Sequence, residues 1–582
     1  GLQMFEVENL KVPTDTSMYT IENLHSRSTS RRFRLSVAEA VCSAIPSGWS
    51  LSSAYEERSV CKCIFEQRHT YVGESPYWRE FKRIHSDHVR GISSYEDFYA
   101  PSALTFDAYW KDLLKFNRIS AGEPKWDEKA LQCSMIATIR ALESAGMVCT
   151  KIRTVHEVLS DVQWSTAAGP LYAMKKKELC KNLSVEELDT LAIHVKTRLI
   201  KGDNCGVWNG AMKAELRPIE KVQANKTRVF TAAPLTTLIA SKFFVDDFNK
   251  QFYTTHLKAP HTVGINKFAR GWEKLYEYLH VDGWLHGSGD GSRFDSSIDD
   301  FWFDKLYTIR AHFFCKSDKD VAKQALGNMY REFLYTPIHT TSGNILVKQV
   351  GNNSGQPSTV VDNTLILMMS FYYAYIMKTQ DFDCEHIHKR MKFVCNGDDN
   401  KFSLAPSFVK EFGGEFTTEI KQLGLTYEFD DLTDDITENP YMSLTMVRTS
   451  SGIGFSLHPS RIIAIVQWIK KGDIIQATQA AFAAMIEAYN DPWLFSILHL
   501  YLVWLLIEYK DALNFARVNG IFGVVYFDPC QVHALHYGTP TVNEFEECES
   551  ESCIDDDDFE AIEYCSQQFQ MDLVGTPTAP RQ

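Results

Sequence analysis

The chain has 582 residues, 45% of them hydrophobic, with a formal net charge of −14. That length allows a sizeable core and several domains. The longest apolar stretch, Trp493 to Ile507, is interrupted by Ser496 and His499. It falls short of the about 20 residues a membrane span needs and reads as a buried helix of a C-terminal helical domain.

The charge is unevenly placed. Residues 541–582 hold twelve Asp and Glu against one Arg, a net of −11, so the preceding 540 residues carry about −3. Basic clusters at 26–34 (Arg27, Arg31, Arg32, Arg34), 175–177 and 213–228 can line a channel within that balance. The 14 cysteines show no framework spacing and no secretory signal precedes them, which points to a reducing compartment. Cys61, Cys63, His69, His85 and His88 are a candidate zinc set, but their spacing matches no standard pattern. Buried thiols and surface histidines are the favoured reading there.

In chain order, residues 1–120 are mixed, and helical patterns follow at 128–147 and 185–201. Basic strands are expected near 213–231, then a strand ending near Asp290 and a helix within 276–326. A loop containing Gly355 and Pro357 leads into an apolar helix-like stretch from Leu365 to Ile376. At 393–404 apolar residues flank Asn396-Gly397-Asp398-Asp399, the pattern of a tight hairpin with carboxylates at its tip. Helix then strand is expected over 406–430, and a second hairpin over 440–456, from Tyr441 to Phe455. The pattern from Arg461 to about Ala516 is helical, and beyond 540 the acidic composition predicts a disordered tail.

Three segments carry the chemistry. Asp290 and Asp295 are about one helical turn apart, Asp398 and Asp399 share the hairpin, and Ser354, Thr359 and Asn363 are spaced to aim at one ligand. Acids from two separate segments suit a site for two Mg²⁺ roughly 4 Å apart, clamping an in-line displacement at phosphorus. Mg²⁺ prefers a few carboxylates plus substrate phosphates to a complete protein cage.

In this order, Asp290-x4-Asp295, Ser354-Gly355-x4-Thr359-x3-Asn363 and Gly397-Asp398-Asp399 resemble the palm motifs of viral RNA-dependent RNA polymerases. The segment Lys213 to Arg228 is similar to the basic fingers motif of that group. Ser165 to Pro170, followed by Lys175, Lys176 and Lys177, resembles the template motif of picornavirus-like polymerases. The wording of 214–228, 245–249 and 351–357 narrows the likeness to the nuclear inclusion b polymerases of the plant potyvirus family, Potyviridae. Gly1 and Gln582 fit the ends left by a protease that prefers Gln before a small residue.

The resemblance implies an α+β fold, a cupped right hand of fingers, palm with antiparallel sheet, and helical thumb. Its boundaries on this chain would be an N-terminal extension and start of fingers at 1–120, fingers at 121–275 and palm at 276–326. A return to the fingers at 327–345, palm at 346–456, thumb at 457–540 and the acidic tail at 541–582 would follow. It implies an RNA-directed RNA polymerase replicating a positive-strand viral genome, with Asp290, Asp398 and Asp399 as catalytic metal ligands. Mg²⁺ is the expected cofactor and Mn²⁺ a substitute. Asp295, Ser354, Thr359 and Asn363 are expected to read the ribose, whose 2′-hydroxyl is both donor and acceptor. Lys213, Lys221, Lys226 and Arg228 would hold the triphosphate, and Ser165, Thr166, Gly169 and Gly355 the template RNA.

Expected partners are RNA template and primer, NTPs, a genome-linked protein primer, a viral protease precursor and host factors. The expected setting is host cytoplasm at viral replication complexes, and the host nucleus. One departure stands out: no lysine lies between Lys421 and Lys470 to protonate pyrophosphate, leaving Lys421, Arg448, His458 or water for that step. A reverse transcriptase, and a polymerase-derived scaffold that binds RNA and proteins without strong activity, are the competing readings.

Overall fold

The computed structural model describes residues 49–52, 72–116, 125–170, 175–204, 206–340, 345–348, 350–470, 472–521 and 526–538. Arg27, Arg31, Arg32, Arg34, Cys61, Cys63, His69 and the acidic tail lie outside the described residues. The fold mixes helices and sheets around two hydrophobic cores.

The first core is organised around the helix Thr359–Thr379, every residue of which is buried from Thr359 to Ile376. A helix apolar on all sides has no solvent face to offer and must be wrapped. It is long and apolar enough to cross a membrane, yet 94% of its apolar window is buried inside the protein, which makes it a core helix. It starts six residues before the expected Leu365, because the Ser-Thr-Val-Val segment already lies inside the core. Helix Glu128–Ser144 and strand Met391–Asn396 pack against it.

That strand forms an antiparallel sheet with Asp399–Leu404 and Leu285–Gly287. Asn396 pairs with Asp399, so Gly397 and Asp398 make the two-residue loop, with Gly397 at φ +58°. The loop therefore centres on Gly-Asp rather than Asn-Gly. The neighbouring strand Gly289–Ser292 pairs with Thr426–Phe429, setting Asp290 opposite Glu428. Alternate glycines explain this layer. A Cβ at Gly287, Gly289 or Gly291 would meet the rings of Phe402, Phe429 and Tyr427 at 2.8, 2.6 and 2.9 Å. Bare backbone lets Phe429 and Tyr427 lie directly on the strand that carries Asp290, and Phe402 on the strand just before it.

A five-stranded sheet runs Trp49–Ser52, Ile345–Lys348, Pro337–His339, Trp208–Met212, Val229–Ala232. Only the Pro337–His339 to Trp208–Met212 pairing is parallel. The segment 213–231 is less strand-like than expected, since a short helix, Ile219–Gln223, separates strands Leu216–Pro218 and Val229–Ala232.

The second core gathers the C-terminal helices Pro459–Gln467, Ile474–Glu487 and Pro492–Glu508 with helix Pro76–Ile84 and the hairpin Leu444–Thr449/Gly452–Leu457. Tyr441 belongs to a turn, with Met442 and Ser443 at positive φ, so the second hairpin begins at Leu444 rather than Tyr441. Within the stretch expected to be helical, Trp468–Lys470 is a strand paired with Val72–Glu74. Helix Pro492–Glu508 is capped by the Asp491 side chain on the Leu494 N–H. It buries only its inner face; Ile507 on the outer side is 71% exposed. Cys149 and Cys315 form a disulfide, brought together by the bridge between Thr150 and Phe314, a pairing the cysteine spacing did not announce.

Candidate active site

The acids are brought together by one side chain. Asn400 accepts the Gly289 N–H through Oδ1 at 2.9 Å and donates Nδ2–H to the Gly289 carbonyl at 2.9 Å. This two-way clasp locks the residue before Asp290 to the residue after Asp399. The Tyr427 hydroxyl donates to the Asp398 carbonyl at 2.7 Å, and the Gly397 N–H donates to Thr364 Oγ1 at 2.8 Å. The loop tip is thereby held from two sides.

Burial raises the carboxyl of Asp398, and the charges of Asp295 and Asp290 add to it, opposed by Arg228. Burial, then Asp398 and Asp290, raises Asp399, opposed by Arg461. Burial, then Asp430 and Glu428, raises Asp290, opposed by Lys221. Like charges held this close disfavour one another's ionised form. Such a set fits a divalent cation, which supplies the missing positive charge, and Asp290, Asp398 and Asp399 are the donors that would hold it. Among the described residues no three His, Cys, Asp or Glu side chains close into a ready-made metal cage.

Beside the acids, Asn363 Nδ2 donates to Asp295 Oδ1 at 2.7 Å. Asp295 sits in the short helix Phe294–Ser297, and its backbone carbonyl receives the Asn352 N–H at 2.7 Å. Burial raises its carboxyl; Asn363, Lys115, Lys348 and Arg228 oppose that. Buried Lys348 donates to the Leu334 and Gly351 carbonyls at 3.0 and 2.6 Å, bracing the same loop. Ser354 Oγ receives the Thr231 N–H at 3.4 Å. Thr359 is buried and donates to the Asn353 carbonyl at 2.8 Å, so here it braces the loop. A Cβ at Gly355 would lie 2.4 Å from the Thr231 carbonyl oxygen and 2.8 Å from the Ala232 Cα. The close approach this glycine permits is to strand Val229–Ala232, a neighbour the sequence reading did not anticipate.

The basic segment is organised by an acid. Glu215, 2% exposed, accepts from Arg228 Nε at 2.6 Å, and Lys213 and Arg217 each reach it at 3.4 Å. Burial pushes the Glu215 carboxyl upward, but these cations prevail and hold it below its ordinary value. Lys221 and Lys226 are exposed in and after helix Ile219–Gln223.

Further off, the turn at 163–170 is zipped to 175–177 by the Ala167–Lys175 bridge and by the Lys177 N–H donating to the Trp164 carbonyl at 2.8 Å. Thr166 accepts from Lys176, Ser165 is exposed, and Gly169 sits at φ +131°. Of the residues considered for proton donation, Arg448 is bound to Asp435 at 2.9 Å and His458 uses Nδ1 on the Ser460 N–H at 3.2 Å. Lys421 is exposed at the end of helix Thr417–Lys421. His85, which with His88 makes up the two described members of the five-residue zinc candidate, has Nδ1 3.2 Å from the Phe81 carbonyl and its ring tilted against that of Phe81 at 4.6 Å.

Sequence reasoning missed Glu215, Arg217, Lys115, Asn400 and Arg461. Glu215 had a signal, an acid alternating with Lys213 and Arg217 in one extended segment. Asn400 and Arg461 had none, since their partners are distant in sequence.

Residues 80–506 match the family described as "Viral RNA-dependent RNA polymerase". The chain is 50% identical over 471 residues to "Genome polyprotein 1" of Barley yellow mosaic virus (isolate Germany), covering 81% of this chain and 19% of that protein. It is 47% identical over 533 residues to "Genome polyprotein 1" of Barley mild mosaic virus (strain Na1), covering 90% and 23%. Against the "Genome polyprotein" of Peanut mottle virus (strain M) it is 38% identical over 444 residues, covering 75% and 14%. The chain thus spans about a fifth of the length of the first of these relatives.

Proposed function

Since the chain belongs to the viral RNA-dependent RNA polymerases, of the potyvirus type, we propose that it copies RNA by adding NTPs to a primer 3′-hydroxyl and so replicates a positive-strand RNA virus genome. The observation that carries this reading is geometric: Asn400 clasps Gly289, joining the strand of Asp290 to the hairpin of Asp398 and Asp399, and Asn363 is bonded to Asp295. We read these groups, with the basic segment around Glu215, as one site.

Asp290, Asp398 and Asp399 would hold Mg²⁺, with Mn²⁺ a substitute. Bound there, the metal supplies Lewis acidity to the phosphate oxygens and lowers the pKa of the attacking hydroxyl. Arg228 and Lys213, set around Glu215, neutralise the triphosphate together with Lys221 and Lys226. Asp295 and Asn363 hold an acceptor and a donor toward the ribose, a pair suited to a 2′-hydroxyl. Ser165, Thr166 and Gly169 guide template RNA, and Gly355 keeps the 352–356 loop against its neighbouring strand.

The arrangement is read as a right hand: fingers at 121–275 and 327–345, palm at 276–326 and 346–456, thumb at 457–540. The chain is read as released from a polyprotein of the kind its relatives are. Protein priming by a genome-linked protein, contact with a viral protease precursor and host factors, and work at cytoplasmic replication complexes or in the nucleus belong to the same reading. A scaffold without activity is not favoured, because the acids are all present and gathered.

Primer extension on an RNA template with Mg²⁺ tests it, comparing the chain with Asp398→Ala while each NTP is omitted in turn. Template-directed product lost in the variant is the expected result. RNA binding without incorporation, even with Mn²⁺ and the genome-linked protein, would overturn it.

A further inference from the structure

Behind Asp295 and Asn363 runs a buried chain of side chains in which the amide oxygens of Asn363, Asn352 and Gln356 each accept from a named neighbour. Asn363 Oδ1 receives Asn352 Nδ2 at 3.0 Å. Asn352 Oδ1 in turn receives the Asn353 backbone N–H at 3.0 Å and Gln356 Nε2 at 3.3 Å. The second Gln356 Nε2 hydrogen goes to Asp362 Oδ2 at 3.0 Å, and Gln356 Oε1 receives the Ser358 backbone N–H at 2.7 Å. Asp362 is paired with Arg310 at 2.8 Å and receives the Tyr330 hydroxyl at 3.2 Å. Arg310 and Asp362 are both fully buried.

An amide can be turned end for end at little steric cost, so its orientation depends on what it faces. Here two backbone N–H groups, which can only donate, fix the oxygens of Asn352 and Gln356. The ionised Asp362, held in place by Arg310, can only accept, and fixes the Gln356 nitrogen a second time. Asn352 is left with only its nitrogen to offer Asn363. Asn363 must then answer with its oxygen and turn its own nitrogen to Asp295.

We propose that Asn352, oriented by Gln356 and the Arg310–Asp362 pair, is a positioning residue that sets sugar selection by deciding which end of the Asn363 amide faces Asp295. Reversal of Asn363 would set its oxygen against the Asp295 carboxylate, two acceptors face to face, and would remove the donor that accompanies Asp295 at the ribose. A site built to bond a hydroxyl discriminates strongly against the analogue lacking it, because its polar groups are then left unpaired. The relay keeps those groups in the bonding arrangement. This rests on the polymerase reading of the same site.

The test uses near-isosteric changes, Asn352→Asp and Gln356→Glu, in the full chain. Asn352→Asp removes the donor that Asn363 needs; Gln356→Glu removes the donors that Asn352 and Asp362 need. The measured quantity is the ratio of ATP to 2′-deoxy-ATP, read in two ways. One is kcat/KM for incorporation. The other is equilibrium binding to a complex with template and a 3′-deoxy-terminated primer, where no turnover occurs.

Each substitution is expected to lower both ratios about tenfold. Asn352→Asp combined with Asn363→Asp is expected to lower them no further than Asn363→Asp alone, because the first acts through the second. Ratios unchanged within twofold in variants that melt as the parent does would overturn the relay. So would losses that multiply in the double variant, or a fall in kcat/KM equal for both sugars. If the unsubstituted chain binds ATP over 2′-deoxy-ATP but incorporates neither, the polymerase reading fails while the binding ratios still decide the relay.

Discussion

Arg228 Nε lies 2.6 Å from a carboxylate oxygen of Glu215, a residue with 2% of its surface exposed, so the cation expected to meet the triphosphate is anchored on a buried anion. A flexible guanidinium becomes a fixed one, and its charge opposes the rise of the Asp398 and Asp295 carboxyls.

Substituting Glu215→Gln removes the anion and leaves Lys213, Arg217 and Arg228 to repel one another. The change is expected to cost about 3 kcal/mol of stability, as expected for breaking a buried pair. It should also raise KM for NTPs about tenfold. Chemical denaturation and steady-state incorporation measure the two effects separately.

The crowded acids predict an exchange of stability against activity. Asp399→Asn removes one of the mutually opposed carboxylates and should stabilise the metal-free protein by about 1 kcal/mol. Incorporation should fall at least about a hundredfold, roughly 2.7 kcal/mol in the barrier. Added Mg²⁺ should raise the melting temperature of the unsubstituted chain more than that of the variant. Thermal melts with and without the ion check this.

Two glycines should respond differently to alanine. At Gly397 no atom lies within 4 Å of an added Cβ, and only φ +58° opposes it. The cost there should be about 1 kcal/mol. At Gly355 the added carbon meets the Thr231 carbonyl oxygen at 2.4 Å, so backbone must move. A cost of about 3 kcal/mol and loss of incorporation are expected. Melting curves of the two variants, measured side by side, make the comparison.

Acid should weaken the fold through buried histidines. Burial holds His261 well below the ordinary range, His286 down to about 4 and His536 to about 3. His261 is fixed as a neutral ring, accepting the Val263 N–H at 3.1 Å while its other nitrogen meets Thr255 Oγ1 at 2.8 Å. Unfolded histidine takes up a proton near pH 6.5 and the folded ones do so only at much lower pH, so the unfolded state binds more protons between. Stability is therefore full at neutral pH and declines as pH falls from about 6.5 towards 4, by at most about 1.4 kcal/mol per histidine per pH unit. His536→Phe should lose the bond to the Ile486 carbonyl at 2.7 Å and some stability at pH 7.5, yet show a shallower decline to pH 5.5. Urea denaturation at both pH values measures the slope.

What the sequence determined by itself was local chemistry. The hairpin at 393–404, the helix Val185–Lys201 at its expected bounds, and the placement of Asp398 and Asp399 at or beside the hairpin turn all depend on neighbours in the chain. Turn preferences and helical periodicity act over a few residues and so can be read in order. The outer-face exposure of helix Pro492–Glu508 could not be read this way, because its apolar residues surround the whole helix and only tertiary packing chooses the buried side. The same holds for the site. Asn400 clasps Gly289 across 111 residues, Arg310 meets Asp362 across 52, and Asn363 meets Asp295 across 68. Buried polar groups must find partners wherever the fold brings them, and a linear pattern carries no record of which distant donor faces which acceptor. Tertiary structure alone decided that Arg228 would join Lys213 and Arg217 on Glu215 and that Asn352 would stand behind the Asn363 amide.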